Sequence, residues 1–122
     1  MSASVKTRVL VVDDERVLAE TFVMILNQSG FEARGVCSGD EARKIAREFS
    51  PQILISDVLL ADQDGIELAM ELSRLLPQTR VLLFTGQHFA EELLRGPRAQ
   101  GFDFEILTKP VNPQDLLTKL RG

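Results

Sequence analysis

Asp13, Asp14, Asp57, Thr85 and Lys109 are the residues of this chain whose types could do chemistry together, and each falls where an apolar run stops. Arg8-Val9-Leu10-Val11-Val12 gives way to Asp13-Asp14-Glu15. Ile53-Leu54-Ile55-Ser56 ends in Asp57. Arg80-Val81-Leu82-Leu83-Phe84 ends at Thr85-Gly86, and the segment Asp103 to Leu107 leads into Thr108-Lys109-Pro110. If these runs are parallel strands, with the first and third as neighbours, three carboxylates converge at one sheet edge. Charges of one sign at that distance raise one another's pKa values. A divalent cation removes the conflict, and an oxygen cage with open positions suits Mg²⁺. A carboxylate nucleophile, a hydroxyl and an ammonium beside such an ion fit phosphoryl transfer. Asp57 would accept the group as an aspartyl-phosphate. Lys109 and the cation would neutralise its oxygens, and Thr85 would hydrogen-bond one of them.

Each piece alone has a plainer use. Asp13-Asp14 reads as a helix N-cap and Asp57 as a turn residue. Thr85-Gly86 and Lys109-Pro110 read as ordinary turn elements. Taken jointly the plainer readings weaken, because each residue sits at the end of a separate strand.

The intervening segments must position these ends. Val17, Leu18, Phe22, Ile25 and Leu26 recur at helical spacing up to Gly30, an expected C-cap. Phe31 to Val36, with Glu32 and Arg34 alternating, suits an edge strand. Ser38-Gly39-Asp40-Glu41 and Asp64-Gly65-Ile66-Glu67 read as capping boxes opening two helices. The first ends near Pro51 and the second before Pro77. Phe89, Leu93 and Leu94 suggest a fourth helix, which Gly96-Pro97 should break. Asn112 caps the last helix, with Pro113 in its first turn and Leu116, Leu117 and Leu120 on its apolar face. Five strands alternating with five helices imply an α/β fold, with a parallel sheet and helices on both faces.

Composition narrows the class. The chain has 122 residues, 44% of them hydrophobic and 26% charged, with a formal net charge of −4. That suits one globular domain over 1–122, with residues 1–5 expected to form a flexible N-terminal tail. The acidic balance gives no electrostatic help toward DNA. No apolar run approaches the roughly 18 residues that span a membrane, and the N-terminus has no signal-peptide pattern. The single cysteine, Cys37, cannot pair within the chain, which fits a reducing cytoplasm. No glycine-rich phosphate loop for nucleotides occurs.

Over nearly its whole length the chain resembles the receiver domain of two-component response regulators. The resemblance rests on Val11-Val12-Asp13-Asp14-Glu15, Ile55-Ser56-Asp57, Asp64-Gly65, Phe84-Thr85-Gly86 and Thr108-Lys109-Pro110. The length looks like that of the single-domain, chemotaxis-type members. The resemblance implies a flavodoxin-like three-layer sandwich with strand order 2-1-3-4-5. It also implies that Asp57 takes a phosphoryl group from a histidine kinase or a phosphotransfer protein. Asp14 would bind Mg²⁺ directly and Asp13 mainly through water, with the Leu59 backbone carbonyl as a further ligand. Thr85 and Lys109 would contact the phosphoryl group, and Lys109-Pro110 would be cis. Phosphorylation would then change how the face of the fourth helix, fifth strand and fifth helix binds a downstream protein. Such a protein catalyses only its own phosphoryl transfer and dephosphorylation, so it is not expected to be an enzyme with an outside substrate.

Four positions depart from the family's pattern. Ile106 stands where an aromatic switch residue is usual, with Phe102 and Phe104 nearby and expected in the core. Leu60-Ala61 replaces a methionine-proline pair, which should free the loop after Asp57. Leu59 and Gln87 occupy the two positions that tune phosphoryl hydrolysis in the family, and apolar Leu59, next to apolar Val58, should slow water attack. The Thr85–Lys109 spacing is about two residues longer than in the chemotaxis type. His88, with no partner ligand, reads as a surface or near-site residue, and Cys37 as a partly buried one. Arg43, Lys44 and Arg47 read as a solvated helix face. A pseudo-receiver that binds partners constitutively is the alternative reading. A hydrolase with an aspartate nucleophile is disfavoured, because the place of its second acid is Leu59.

Overall fold

The computed structural model describes residues 5–86 and 90–122. The expectations for residues 1–4, Gln87, His88 and Phe89 therefore lie outside the described residues. Strands and helices alternate: β1 (Arg8–Val12), α1 (Arg16–Gln28), β2 (Glu32–Val36), α2 (Gly39–Phe49), β3 (Ile53–Asp57), α3 (Gly65–Leu75), β4 (Arg80–Thr85), α4 (Ala90–Ala99), β5 (Glu105–Thr108) and α5 (Pro113–Arg121). The strands form one parallel sheet in the order β2-β1-β3-β4-β5, as expected.

The period of two along each strand divides the core. Val9, Val11, Ile53, Ile55, Leu82 and Phe84 face α1 and α5, where Phe22, Leu26, Leu116 and Leu120 meet them. Leu10, Val12, Leu54, Val81 and Leu83 face the other layer, with Ala42, Leu68, Leu72 and Leu94. Strands buried on both faces explain why β1, β3 and β4 read as unbroken apolar runs. At the edge, β2 exposes Glu32 and Arg34.

Most helix ends follow the sequence signals. Gly30 takes the left-handed conformation just past α1, with φ +95°. The Asn112 side chain accepts from the Gln114 N–H at 2.8 Å, with Pro113 next to it at the helix start. The two capping boxes are only half formed as such. Ser38 Oγ accepts from the Glu41 N–H at 3.1 Å, but the Glu41 carboxylate returns to the Ser38 hydroxyl instead of its backbone. Asp64 caps the Ile66 N–H, two residues on, at 2.8 Å.

The expected break at Gly96-Pro97 does not occur, and both residues lie inside α4. Pro97 sits in the last turn, where the N–H it lacks removes a single bond. Its ring is buried, and its carbonyl accepts from the N–H groups of Gln100 and Phe102 at 3.0 and 2.9 Å. Gly101, at φ +90°, completes that ending. The strand expected from Asp103 starts at Glu105, because the preceding rings are used for packing. Phe104 is buried in the core, and its ring centre lies 5.4 Å from that of half-buried Phe102. The Arg74 guanidinium covers Phe102.

Arg80 ties the far end of the sheet together. Its guanidinium donates to both Glu105 carboxylate oxygens, at 2.5 and 2.8 Å, and to the carbonyls of Lys119 and Leu120 in the last turn of α5. This two-pronged bond holds the Glu105 pKa below its ordinary value. A lowered carboxylate pKa stabilises the fold above the unfolded value and loses that contribution as pH falls through the folded one. Glu105→Gln is therefore expected to cost roughly 1–2 kcal/mol at pH 7. Urea titrations should show the two proteins converging below about pH 4.5, the ordinary value for this group.

Candidate functional site

The sheet order brings the predicted residues to one edge. β1 and β3 pair in register, Val12 opposite Ser56, so Asp13 and Asp57 leave neighbouring strands side by side. Carboxylate oxygens of Asp13, Asp14 and Asp57 lie within 4.8 Å of one another. Asp13 is 2% exposed and Asp57 5%, whereas Asp14 faces solvent. Thr85, fully buried, ends β4 opposite Thr108 of β5, and its carbonyl accepts from the Lys109 N–H at 2.8 Å. The Lys109-Pro110 peptide is cis, as expected.

Asp57 is held at both oxygens. Oδ1 accepts from the Leu59 N–H at 3.0 Å, and Oδ2 is bonded to the Lys109 ammonium. The Leu59 bond realises the turn reading of Asp57, and the Lys109 bond brings two of the predicted site residues together. The N-cap reading of Asp13-Asp14 is not. Glu15 holds the cap position of α1 without a side-chain bond, and Asp13 Oδ1 takes the Glu15 N–H at 2.9 Å, just ahead of the helix.

The charges do not balance. Burial is the main cause raising the Asp13 pKa; the bond from Glu15 lowers it, Asp57 and Asp14 push it up, and Lys109 pulls it down. Burial also acts on Lys109, drawing its pKa down. The hydrogen bond and charge of Asp57, with Asp13 and Glu15, outweigh that and hold it above the ordinary value. Three carboxylates thus share one ammonium. That excess of hard oxygen donors fits a small divalent cation that keeps part of its own hydration.

The loop from Val58 to Asp64, where the usual proline is missing, is bonded at both ends. The Val58 N–H reaches the Phe84 carbonyl at 3.0 Å, and the Gly65 N–H reaches the Val58 carbonyl at 2.9 Å. Leu59 bridges to Asp64. Val58 and Leu60 are buried, while Leu59 is 67% exposed and lines a cleft with Gln63, Asp64 and Leu93. Ile106 is half-buried opposite Leu83 and packs on the α2–α4 side of the core, as Phe102 and Phe104 also do. Cys37 is a half-buried free thiol.

Sequence reasoning missed three features. Gly65 must lack a side chain, because a Cβ there would overlap the Asp57 carbonyl oxygen. Asp62 and Gln63 touch the start of α2. A groove of about 460 Å³ also opens beside the acidic cluster, with Leu18, Phe22, Phe84 and Val111 among its walls. The glycine was visible as part of a motif. Long-range contacts of loop side chains leave no periodic signal.

The chain belongs to the response regulator receiver domain family, whose model matches residues 9–121. It is thus a receiver domain of the two-component response regulators. Among curated relatives it is 35% identical over 114 residues to a Mycobacterium tuberculosis protein described as "Probable transcriptional regulatory protein TcrX". That match covers 93% of this chain and 48% of the relative, so the chain spans about half the length of the curated relatives it matches. Among solved structures, a CheY-like receiver domain protein from Methanospirillum hungatei JF-1 superposes with a TM-score of 0.85 at 28% identity. That comparison covers 96% of this chain and 92% of that one. The chemotaxis protein CheY4 of Vibrio cholerae gives a TM-score of 0.85 at 28% identity, over 96% and 98% of the two chains. No helix among the described residues is long and apolar enough to cross a membrane.

Proposed function

We propose that this receiver domain is a phosphoacceptor that takes a phosphoryl group on Asp57 and changes partner binding in response. The observation that carries the reading is the convergence of the Asp13, Asp14 and Asp57 carboxylates, with Lys109 bonded to Asp57. A carboxylate oxygen of Asp57 attacks phosphorus of a phosphohistidine. The P–N bond breaks, and the imidazole nitrogen leaves with the electron pair and takes up a proton. The product is a mixed carboxylic–phosphoric anhydride. Lys109 neutralises a phosphoryl oxygen, and Thr85 donates its hydroxyl to another. Asp13, Asp14, Asp57 and the Leu59 backbone carbonyl would hold Mg²⁺. When bound, the ion supplies charge neutralisation and orientation of the phosphoryl oxygens.

The donor is a histidine kinase or a phosphotransfer protein. The readout runs through α4, β5 and α5 to a downstream protein, with no DNA contact or membrane attachment by this domain, in the cytoplasm. Ile106 favours an altered readout, because an aliphatic side chain cannot swing a polar tip toward Thr85. It leaves the chemistry at Asp57 untouched, so a constitutive pseudo-receiver is the weaker reading. The domain acts as a switch and not as an enzyme with its own substrate. A hydrolase would instead release phosphate steadily from acetyl phosphate with fast turnover, so following free phosphate tests this point.

Exposed Leu59 neither orients nor readily admits water at the anhydride. The phosphorylated form is therefore expected to outlive that of Leu59→Asn. Decay of the adduct after the donor is removed measures this, and equal or longer survival of the variant would refute it.

A further inference from the structure

Asp62 has no part in the phosphoryl chemistry, yet it is bonded to the start of a helix. Its carboxylate oxygens lie 3.1 and 3.3 Å from the backbone nitrogen of Gly39, the first residue of α2. Ser38 serves the Glu41 N–H, so the Gly39 N–H is an orphan donor of the first turn that Asp62 takes. A carboxylate is favoured there by the helix dipole. Gln63 adds shape to the contact, because a side chain at Gly39 would overlap the Gln63 amide.

The same loop leads back to Asp57 without a gap. Leu59 donates its N–H to Asp57 Oδ1 and bridges to Asp64, while the Leu60 N–H reaches the Gln63 carbonyl at 3.3 Å. The two helices are also joined directly. Arg43 of α2 grips the Glu71 carboxylate of α3 with two hydrogen bonds, at 2.7 and 3.0 Å. The loop is thus slung between two helices fastened to each other.

We propose that Asp62 is a positioning residue that latches the β3–α3 loop to α2, holds Leu59 against Asp57, and couples the state of the Asp57 carboxylate to the first turn of α2. Only the functional consequence rests on the phosphoacceptor reading. Both Asp57 oxygens are already bonded, to Leu59 and to Lys109, so an acyl phosphate must rearrange at least one of these bonds. Through the latch, a shift at Leu59 is transmitted to Gly39. Coupling of this kind is reciprocal, so loosening Asp62 must also be felt at Leu59.

Amide hydrogen exchange on the full chain, free of metal and phosphodonor, tests the latch. In Asp62→Ala the Gly39 and Leu59 amides should both exchange about tenfold faster, the loss of one charge-assisted bond. Asp62→Asn keeps an acceptor oxygen and should return Leu59 toward the parent rate. Asp40→Ala removes a carboxylate from the same helical turn that bonds Arg43 and not the loop; Arg43 keeps its two bonds to Glu71, so Leu59 should be unchanged. In the reverse direction, Asp57→Ala should speed exchange at Gly39. An unchanged Leu59 rate in Asp62→Ala would overturn the proposal. So would equal acceleration of the central-strand amides of Leu10 and Leu82, which marks global loss of stability. These rates need no phosphodonor. A failure of acetyl phosphate to label Asp57 would therefore count against the phosphoacceptor reading, while the latch stands or falls on the exchange rates alone.

Discussion

Gly65→Ala is expected to destabilise the domain by roughly 2–3 kcal/mol, the cost of forcing atoms into a closed space. The new Cβ would land on the carbonyl oxygen of Asp57, and the Asp57 carbonyl carbon and the Val58 Cα would also be too close. These are backbone atoms, so no rotamer change relieves the overlap. The Gly65 N–H bond to Val58, which closes the loop onto α3, would have to lengthen. The damage therefore falls on the residue that carries the chemistry. Urea denaturation should show the loss, and adduct formation at Asp57 should slow in the fraction that stays folded. Gly96→Ala is the matched control. Apart from its own chain neighbours and the helix backbone, nothing lies within 4 Å of a Cβ there, and the residue is inside α4. Alanine is the better helix former, but its Cβ would crowd the ring of the following Pro97, so the two effects offset and this variant should stay within about 0.5 kcal/mol of the parent.

Asp13→Asn should act in the opposite sense, stabilising the metal-free fold while impairing its function. Asparagine keeps an oxygen for the Glu15 N–H and removes a buried charge that faces Asp57 and Asp14. The gain should be about 1 kcal/mol, the usual size when a charge retained for function is removed. The sign follows from the raised Asp13 pKa. A carboxyl group with a raised folded pKa penalises the fold while ionised, and the penalty fades as pH drops. The parent should therefore gain on the variant as pH falls from neutral toward 3.8, the ordinary value for this group. Thermal unfolding in chelator across that range measures the difference. A variant less stable than the parent at pH 7 would contradict this reading of Asp13. With Mg²⁺ and a phosphodonor present the ranking should reverse in activity, because the variant offers one fewer charged oxygen.

Much of this is legible in the residues. Short, mostly apolar runs that stop at an aspartate give β1 and β3 with their observed bounds, and the polar residues converge because parallel strands share one carboxyl edge. Capping signals at Ser38, Asp64 and Asn112 mark real helix starts, since each serves a local bond. What escapes is non-local or compensated. Pro97 looks like a helix breaker because its cost is local, while burial and the bonds to its carbonyl are tertiary. The missing proline at Leu60-Ala61 is visible in the sequence, whereas the bond between Asp62 and Gly39, 23 residues apart, is not. The Arg80 bonds to β5 and the end of α5 are hidden for the same reason. Asp13 and Asp57 are readable as a pair only through the strand order, which no single stretch specifies.

The central claim is that Asp57 accepts a phosphoryl group. The most direct measurement is the intact mass of the chain after incubation with Mg²⁺ and acetyl phosphate. One phosphoryl adduct is expected, formed only with the divalent ion, absent in Asp57→Asn, and lost on treatment with hydroxylamine. No adduct on the parent chain, or an adduct that persists in Asp57→Asn, would contradict the claim.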